Sequence, residues 1–191
     1  MPRLPRRTAL VGLILAVAIA AFSYYGRAPG QLRNERSETP SDGFYRVLRV
    51  KDGDTVVMEP SNGGKPFTCR LYGIDAPETP KQHRSGQPYG GEAKEALQEL
   101  VMGRQLEVIF TGDTTYGRQV CRLEAEGLDI NREMVRRGMA WAYLQYLKRP
   151  HASSYMTAEE EARKVKRGLW REVNPTPPWE FRHRQRRETP Q

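Results

Sequence analysis

The 191-residue chain has only two cysteines, Cys69 and Cys121, and three histidines, His83, His151 and His183. Two cysteines are too few for a structural zinc site, and histidines so widely spaced form no His-based metal finger. No Walker-type glycine loop is present, and no segment repeats. The length suits one compact domain with flanks, not two large domains. The N-terminal apolar run, Ala9–Phe22, is short for a membrane span of roughly 20 residues. A strong basic field is also missing from the middle of the chain. Of the net charge of +8, residues 1–43 hold six arginines against three acids and residues 174–191 four against two, which leaves +3 for residues 44–173. Charge alone is therefore weak support for a nucleic-acid partner, and any such reading has to rest on a site. With 28% charged and 38% hydrophobic residues the composition is that of a folded domain rather than a disordered chain.

The N-terminus carries an address. Arg3, Arg6 and Arg7 precede Ala9–Phe22, which Ser23, Tyr24 and Tyr25 extend. A basic start followed by such a run is the pattern of a secretory signal or a membrane anchor. Ala18-Ile19-Ala20 offers a small-x-small cleavage site, whereas Phe22, Tyr24 and Tyr25 suit an uncleaved anchor seated in the interface. Both readings stay open. A buried core helix is the bland alternative, disfavoured because polar residues 26–43 separate the run from the rest. Either way residues 44–191 are expected outside the cytoplasm, where two cysteines are free to form a disulfide. Four segments follow: 1–25 as signal peptide or anchor, 26–43 as linker, 44–173 as the domain, and 174–191 as a basic, proline-containing tail that leaves it.

Within the domain, Phe44–Val50 and Thr55–Met58 read as strands joined by an Asp52-Gly53-Asp54 turn, and Asn62-Gly63-Gly64 as the next hairpin turn. Phe67–Ile74 alternates, with Phe67, Cys69 and Leu71 facing one way and Thr68, Arg70 and Tyr72 the other. After a polar loop over 79–91, Ala93, Ala96, Leu97, Leu100 and Val101 have helical spacing, and Gly103 suits the C-terminal cap. Leu106, Val108 and Phe110, and later Cys121, Leu123 and Ala125, alternate as strands. A second helix is expected over about Ile130–Arg137. A third is expected to start at a Thr157/Glu160 capping box and to bury Ala158, Ala162, Val165 and Leu169. Three strands, a helix, two strands and two helices suggest an α+β fold, a small barrel with helical caps.

Four stretches concentrate chemistry: Asp52-Gly53-Asp54-Thr55, Arg70 through Glu78, Tyr116-Gly117-Arg118, and the aromatic run from Trp141 to Tyr146. Each alone has an ordinary reading as a hairpin turn, a strand end, an exposed strand arginine or a core aromatic. Together they supply carboxylates suited to a hard divalent cation and arginines suited to phosphate. A cation and two arginines relieve charge at a phosphodiester under attack, and a free carboxylate activates water.

In this order the stretches resemble the staphylococcal-nuclease-like (thermonuclease) family over residues 44–173, and Gly168-Leu169-Trp170 fits as well. The resemblance implies a five-stranded OB barrel capped by three helices, here behind the N-terminal hydrophobic segment. It implies a Ca²⁺-dependent endonuclease that cleaves DNA and RNA with little sequence preference. Asp54 and Asp75, with the backbone carbonyl of Ala76, match the cation ligands. Glu78 matches the general base, Arg70 and Arg118 the phosphate-holding pair, and Tyr116 and Tyr143 the positions that contact nucleotide. Thr114 and Thr115 depart from the family, which often has an acid and a basic residue there. If Arg70 and Arg118 converge, Cys69 and Cys121 face away from them and are able to meet as a disulfide; two buried thiols are the alternative. Besides nucleic acid, the membrane is an expected partner if the N-terminal segment stays uncleaved, and no obligate protein partner is evident, so a monomer is expected. A non-catalytic OB module that binds nucleic acid or protein is the second reading, and a membrane-tethered scaffold the third. All five charged positions are intact, which disfavours both.

Overall fold

The computed structural model describes residues 43–82 and 84–188, so the expected signal or anchor over residues 1–25 and the expected linker over 26–43 lie outside the described residues, apart from Gly43. No helix among the described residues is long and apolar enough to cross a membrane. Strands β1 (Gly43–Asp52), β2 (Thr55–Pro60) and β3 (Phe67–Leu71) lead to the short β4 (Ile74–Asp75). Helix α1 (Gly90–Val101) precedes β5 (Gln105–Thr115), β6 (Arg118–Ala125) and β7 (Leu128–Asp129), which runs into helix α2 (Ile130–Arg136). Strand β8 (Trp141–Ala142), helix α3 (His151–Lys164), a 3₁₀ turn (Gly168–Arg171) and helix α4 (Pro178–Glu188) follow. Strands and helices in this arrangement fit an α+β fold of the OB type.

The main sheet runs β3-β2-β1-β5-β6-β7, and β3 also pairs with β6, so the pairings form a ring. That last pairing is parallel, with Arg70 opposite Val120 and Leu71 opposite Cys121. Register slips between Val47 and Arg49, between Val50 and Asp52, and between Phe110 and Thr114 bend the strands. Such bulges increase the local twist that a sheet needs to curl on itself. Alternation then sorts the side chains: Val56, Met58, Leu71, Leu106, Val108 and Leu123 are all buried. Tyr45, Phe67 and Phe110 meet with ring centroids 5.4–5.9 Å apart. Cys69 and Cys121, both buried, are joined as a disulfide with Cα atoms 6.0 Å apart, next to the β3–β6 pairing.

Helix α1 buries Ala93, Ala96, Leu97, Leu100 and Val101, the face its periodicity requires. Helix α2 is held by a buried amide as well as by Ile130, Met134 and Val135. Asn131 Nδ2 donates to the carbonyls of Tyr72 (3.0 Å) and Cys121 (3.2 Å), and its Oδ1 accepts from Leu123 N (3.1 Å). One side chain thus fixes the turn after β3 to the middle of β6, and removing it would leave buried backbone groups without partners.

Two expectations need correction. Helix α3 starts at His151 after Pro150, not at Thr157, and has no side-chain cap bond. Its earlier start is explained by Tyr155, which is fully buried and donates to both Asp129 carboxylate oxygens at 3.1 Å. The buried face is Tyr155, Ala158 and Ala162; Val165 is 57% exposed, and Leu169 is buried from the 3₁₀ turn instead. The second correction concerns the tail. Residues 178–188 are a fourth helix that returns to the domain, with Pro178 at its first position, where a missing N–H loses nothing. Its apolar content is only Trp179, Phe181 and Pro178, too little for a periodic signal; its other partners are acids distant in sequence.

Gly53 sits where the β1–β2 turn touches both the loop after β4 and helix α1. A Cβ there would lie 2.7 Å from Ala76 Cβ and 2.8 Å from Ala93 Cβ. Gly53→Ala is expected to destabilise the chain by about 1–3 kcal/mol in urea unfolding. Gly91→Ala, in helix α1 with open space around it, is expected to be neutral or to stabilise by up to about 1 kcal/mol. Equal effects of the two would contradict this packing.

Candidate active site

Four acidic side chains and two guanidiniums meet beside the ring, where the β1–β2 turn approaches the end of β3 and the strand β4. The two-residue hairpin turn carries Asp54 into β2, and Asp52 accepts a hydrogen bond from Asp54 N (3.2 Å). Asp54 is nearly buried; its Oδ1 accepts from the Thr55 hydroxyl (2.9 Å) and its Oδ2 from Ala76 N (2.9 Å). Asp75 is fully buried because β4 pairs with β8, which sets it opposite Trp141. Arg70, the outward-facing residue of β3, joins the two acids. Its Nη1 lies 3.0 Å from Asp54 Oδ2 and its Nη2 2.8 Å from Asp75 Oδ1. Arg70 Nη1 also donates to the Ile74 carbonyl (3.0 Å), which fixes the plane of the guanidinium.

Glu78 follows on the loop that covers α1. Its N–H donates to Gln87 Oε1 (3.0 Å), and a Cβ on Gly90 would run into its carbonyl. Its carboxylate is shared between Lys81, 3.3 Å from Oε2, and Arg182, 2.9 Å from Oε1. Arg182 comes from α4 and also donates to both oxygens of Asp75, at 3.1 and 2.8 Å. Like charges this close perturb one another. The Asp52 carboxyl is pushed up to about 7, by burial first and by the Asp54 charge second. Burial likewise raises Asp75, against the lowering effect of Arg182 and Arg70. Burial and the mutual repulsion of neighbouring acids thus both disfavour the charged carboxylates here.

Asp52, Asp54, Arg70, Glu78 and Arg182 line a cleft of about 540 Å³ together with Tyr116, Arg118, Tyr143 and Tyr146, while Asp75 is fully buried and is reached through Arg70 and Arg182. Tyr116 sits at the β5–β6 turn in a left-handed conformation (φ 48°) and is 95% exposed. Arg118 donates from Nε to the Thr115 carbonyl (3.2 Å), with its guanidinium 5.9 Å from the Tyr116 ring centre. Tyr143 is anchored by its N–H to the Gly73 carbonyl (2.8 Å), just beyond Arg70. The structure therefore gathers Asp54, Arg70 and Asp75 into direct contact, and Glu78 joins them through Arg182. Arg118, Tyr116 and Tyr143 line the same cleft, and Ala76, buried, abuts Asp54 through its backbone.

Sequence reasoning missed four participants. Asp52 was assigned only to a turn, although its side chain lines the cleft. Gln87 ties Glu78 N to the Thr176 carbonyl (3.0 Å) ahead of α4. Trp179 stacks flat on Tyr143, with centroids 5.1 Å apart and planes 3° from parallel. Arg182 is the fourth. The only available signal for the last two was the Pro-Pro-Trp-Glu-Phe-Arg run, a helix start carrying an aromatic and an arginine.

Oxygen donors from acids, a carbonyl and water suit Ca²⁺. Among the described residues no group of three or more His, Cys, Asp or Glu side chains is gathered to hold a metal ion by itself. Asp54 Oδ1 and Asp75 Oδ2 each have one hydrogen bond, and so each retains accepting capacity. This donor set fits a divalent cation with few protein ligands.

Comparison with known proteins gives this geometry a family. The model described as "Staphylococcal nuclease homologue" matches residues 68–172. An "Uncharacterized endonuclease" of Escherichia coli O157:H7 is 39% identical over 145 residues, which is 75% of this chain and 88% of that protein. The "Probable staphylococcal-like nuclease CAN1" of Oryza sativa subsp. japonica is 36% identical over 149 residues, 78% of this chain and 40% of that one. The "Staphylococcal-like nuclease CAN1" of Arabidopsis thaliana is 33% identical over 156 residues, 81% of this chain and 45% of that one. The chain thus spans less than half the length of the plant relatives it matches, but most of the bacterial one. The matched stretch runs from β3 through Arg70, Asp75, Glu78 and Arg118 to the 3₁₀ turn, and the chain belongs to the staphylococcal nuclease homologue family.

Proposed function

We propose that the chain is a nuclease that hydrolyses phosphodiester bonds of DNA or RNA with a bound Ca²⁺. The observation that carries this is Arg70 bridging Asp54 and Asp75, with Glu78 in the same cleft. The names of the relatives support the same chemistry. Asp54, Asp75 and the Ala76 carbonyl would hold the cation, with water completing its shell. When bound, Ca²⁺ supplies Lewis-acid stabilisation of the charge that grows on the attacked phosphate.

The remaining work falls to side chains of this chain. Arg70 is held in plane by the Asp54 and Asp75 carboxylates and the Leu71 and Ile74 carbonyls, and presents a fixed charge to one phosphate oxygen. Arg118, on the facing wall, supplies a second charge and closes over the phosphate from the side of Tyr116. Glu78 takes the proton from the attacking water. Tyr116 and Tyr143 offer ring faces to the sugar and base, which tolerate any base because every base has a π-face. Low sequence preference follows from contact through ring faces rather than base edges. The barrel reading of the fold is supported by the β3–β6 pairing and the bulges. Export is supported by the Arg3, Arg6, Arg7 start and the apolar run behind it. Outside the cytoplasm Ca²⁺ is abundant enough to fill a weak oxygen site. The chain is taken to act as a monomer.

The full-length chain incubated with single-stranded DNA is expected to cleave it with Ca²⁺ and not with chelator. Glu78→Gln and Arg118→Ala are each expected to lower kcat by about 10²–10³-fold. Cleavage in chelator, or full activity of both variants, would overturn the mechanism. Charge crowding gives a second expectation. Asp52→Asn should raise the metal-free melting midpoint by about 2–4 °C, from roughly 1 kcal/mol of relieved repulsion, and weaken Ca²⁺ binding. A lower midpoint in chelator would contradict the crowding.

A further inference from the structure

Helix α4 lies beyond the residues that match the family, yet it delivers a charge to the centre of the site. Arg182 Nη1 contacts Asp75 Oδ1 (3.1 Å) and Glu78 Oε1 (2.9 Å), while Nη2 contacts Asp75 Oδ2 (2.8 Å). A single planar guanidinium thus spans the two carboxylates that the proposed function gives different work, holding the cation and activating water. Only arginine has the fork for this; an ammonium is a point charge.

The helix is docked by contacts that do not involve those acids. Trp179 stacks on Tyr143 and meets Trp141 edge-on at 5.6 Å. Gln185 Nε2 donates to the Ser85 carbonyl (2.9 Å), and Gln87 holds the Thr176 carbonyl. An ion pair is therefore not needed as a staple, and pairing with a fully buried carboxylate is a poor way to gain stability, because desolvation offsets most of the attraction. Without Arg182, the Glu78 carboxylate keeps only Lys81, an exposed side chain at 3.3 Å that is free to wander. With it, Oε1 is tied and Oε2 is left facing its looser partner, as the oxygen to take a proton.

We propose that Arg182 is a positioning residue of the hydrolytic site, one that holds the Glu78 carboxylate in fixed relation to Asp75. The inference rests on the nuclease reading of the site. It also has an electrostatic signature. Arg182 places a positive charge within 3.1 Å of a cation ligand, so its loss must favour Ca²⁺ binding even as it slows the reaction.

The test uses full-length wild type, Arg182→Ala, Arg182→Lys, Glu78→Gln and the Arg182→Ala/Glu78→Gln double variant. Rates are measured on a single-stranded oligonucleotide at saturating Ca²⁺, and Ca²⁺ affinity by calorimetry. Arg182→Ala is expected to lower kcat 10- to 100-fold with KM changed less than threefold, and to bind Ca²⁺ two- to tenfold more tightly. Arg182→Lys should fall between it and wild type. In the Glu78→Gln background the same change should matter less than threefold, because Arg182 acts through Glu78. Weaker Ca²⁺ binding together with slower cleavage would mean a merely structural role. Tighter binding with faster cleavage would mean that Arg182 competes with the cation. A loss confined to KM, or one of equal size in both backgrounds, would make it a substrate contact; each of these overturns the proposal. If wild type itself does not cleave, the nuclease reading falls; if wild type cleaves and Arg182→Ala matches it, only the Arg182 inference falls.

Discussion

Arg70 holding Asp54 and Asp75 is the contact on which the rest depends. Two carboxylates, one almost and one fully buried, are tolerable only if something positive lies between them. The guanidinium does this with one nitrogen for each acid, and a carbonyl from the Ile74 turn fixes its plane. To reach both acids it must leave β3 on the outer face, so Cys69 and Leu71 are driven inward. The parity that builds the ring's core thereby also builds the site. Beside them the Asp52 carboxyl is raised, by burial first and by the Asp54 charge second, and a divalent cation would ease that repulsion.

The scaffold around this contact is rigid where the chemistry needs it. Asn131 pins the turn after β3 to β6 with three hydrogen bonds. The β4–β8 pairing buries Asp75 and sets Tyr143 beside it. Gly53 lets the Ala76 and Ala93 methyls pack on the turn that carries Asp54, and Gly90 lets the Glu78 backbone approach helix α1, so the turn and the loop share one cleft. By contrast the Tyr116 turn is open to solvent, as suits a wall that meets a flexible strand.

The sequence made local features legible and non-local ones not. Strand and helix periodicity located β1 to β3, α1 and α2 because each has a continuous apolar face. Asp54, Arg70, Asp75 and Glu78 stand out because they fall in two short stretches, and the structure brings them together. Helix α3 was begun too late, since the residue that extends it is a tyrosine whose hydroxyl bonds to Asp129, a partner distant in sequence. In the sequence, helix α4 reads as a departing tail for a related reason. Its docking depends on Tyr143, Trp141 and the Ser85 carbonyl, which no periodicity within residues 178–188 can reveal. The pairing of β3 with β6 was equally hidden, because a parallel ring closure leaves no turn signature.

What most directly tests the account is calorimetric titration of Ca²⁺ into the metal-free full-length chain, set against its Asp75→Asn variant. One Ca²⁺ bound per wild-type chain and none detectable in the variant is the predicted result. No saturable binding to wild type, or equal binding to the variant, would contradict the claim that this carboxylate–arginine cluster is built around a cation.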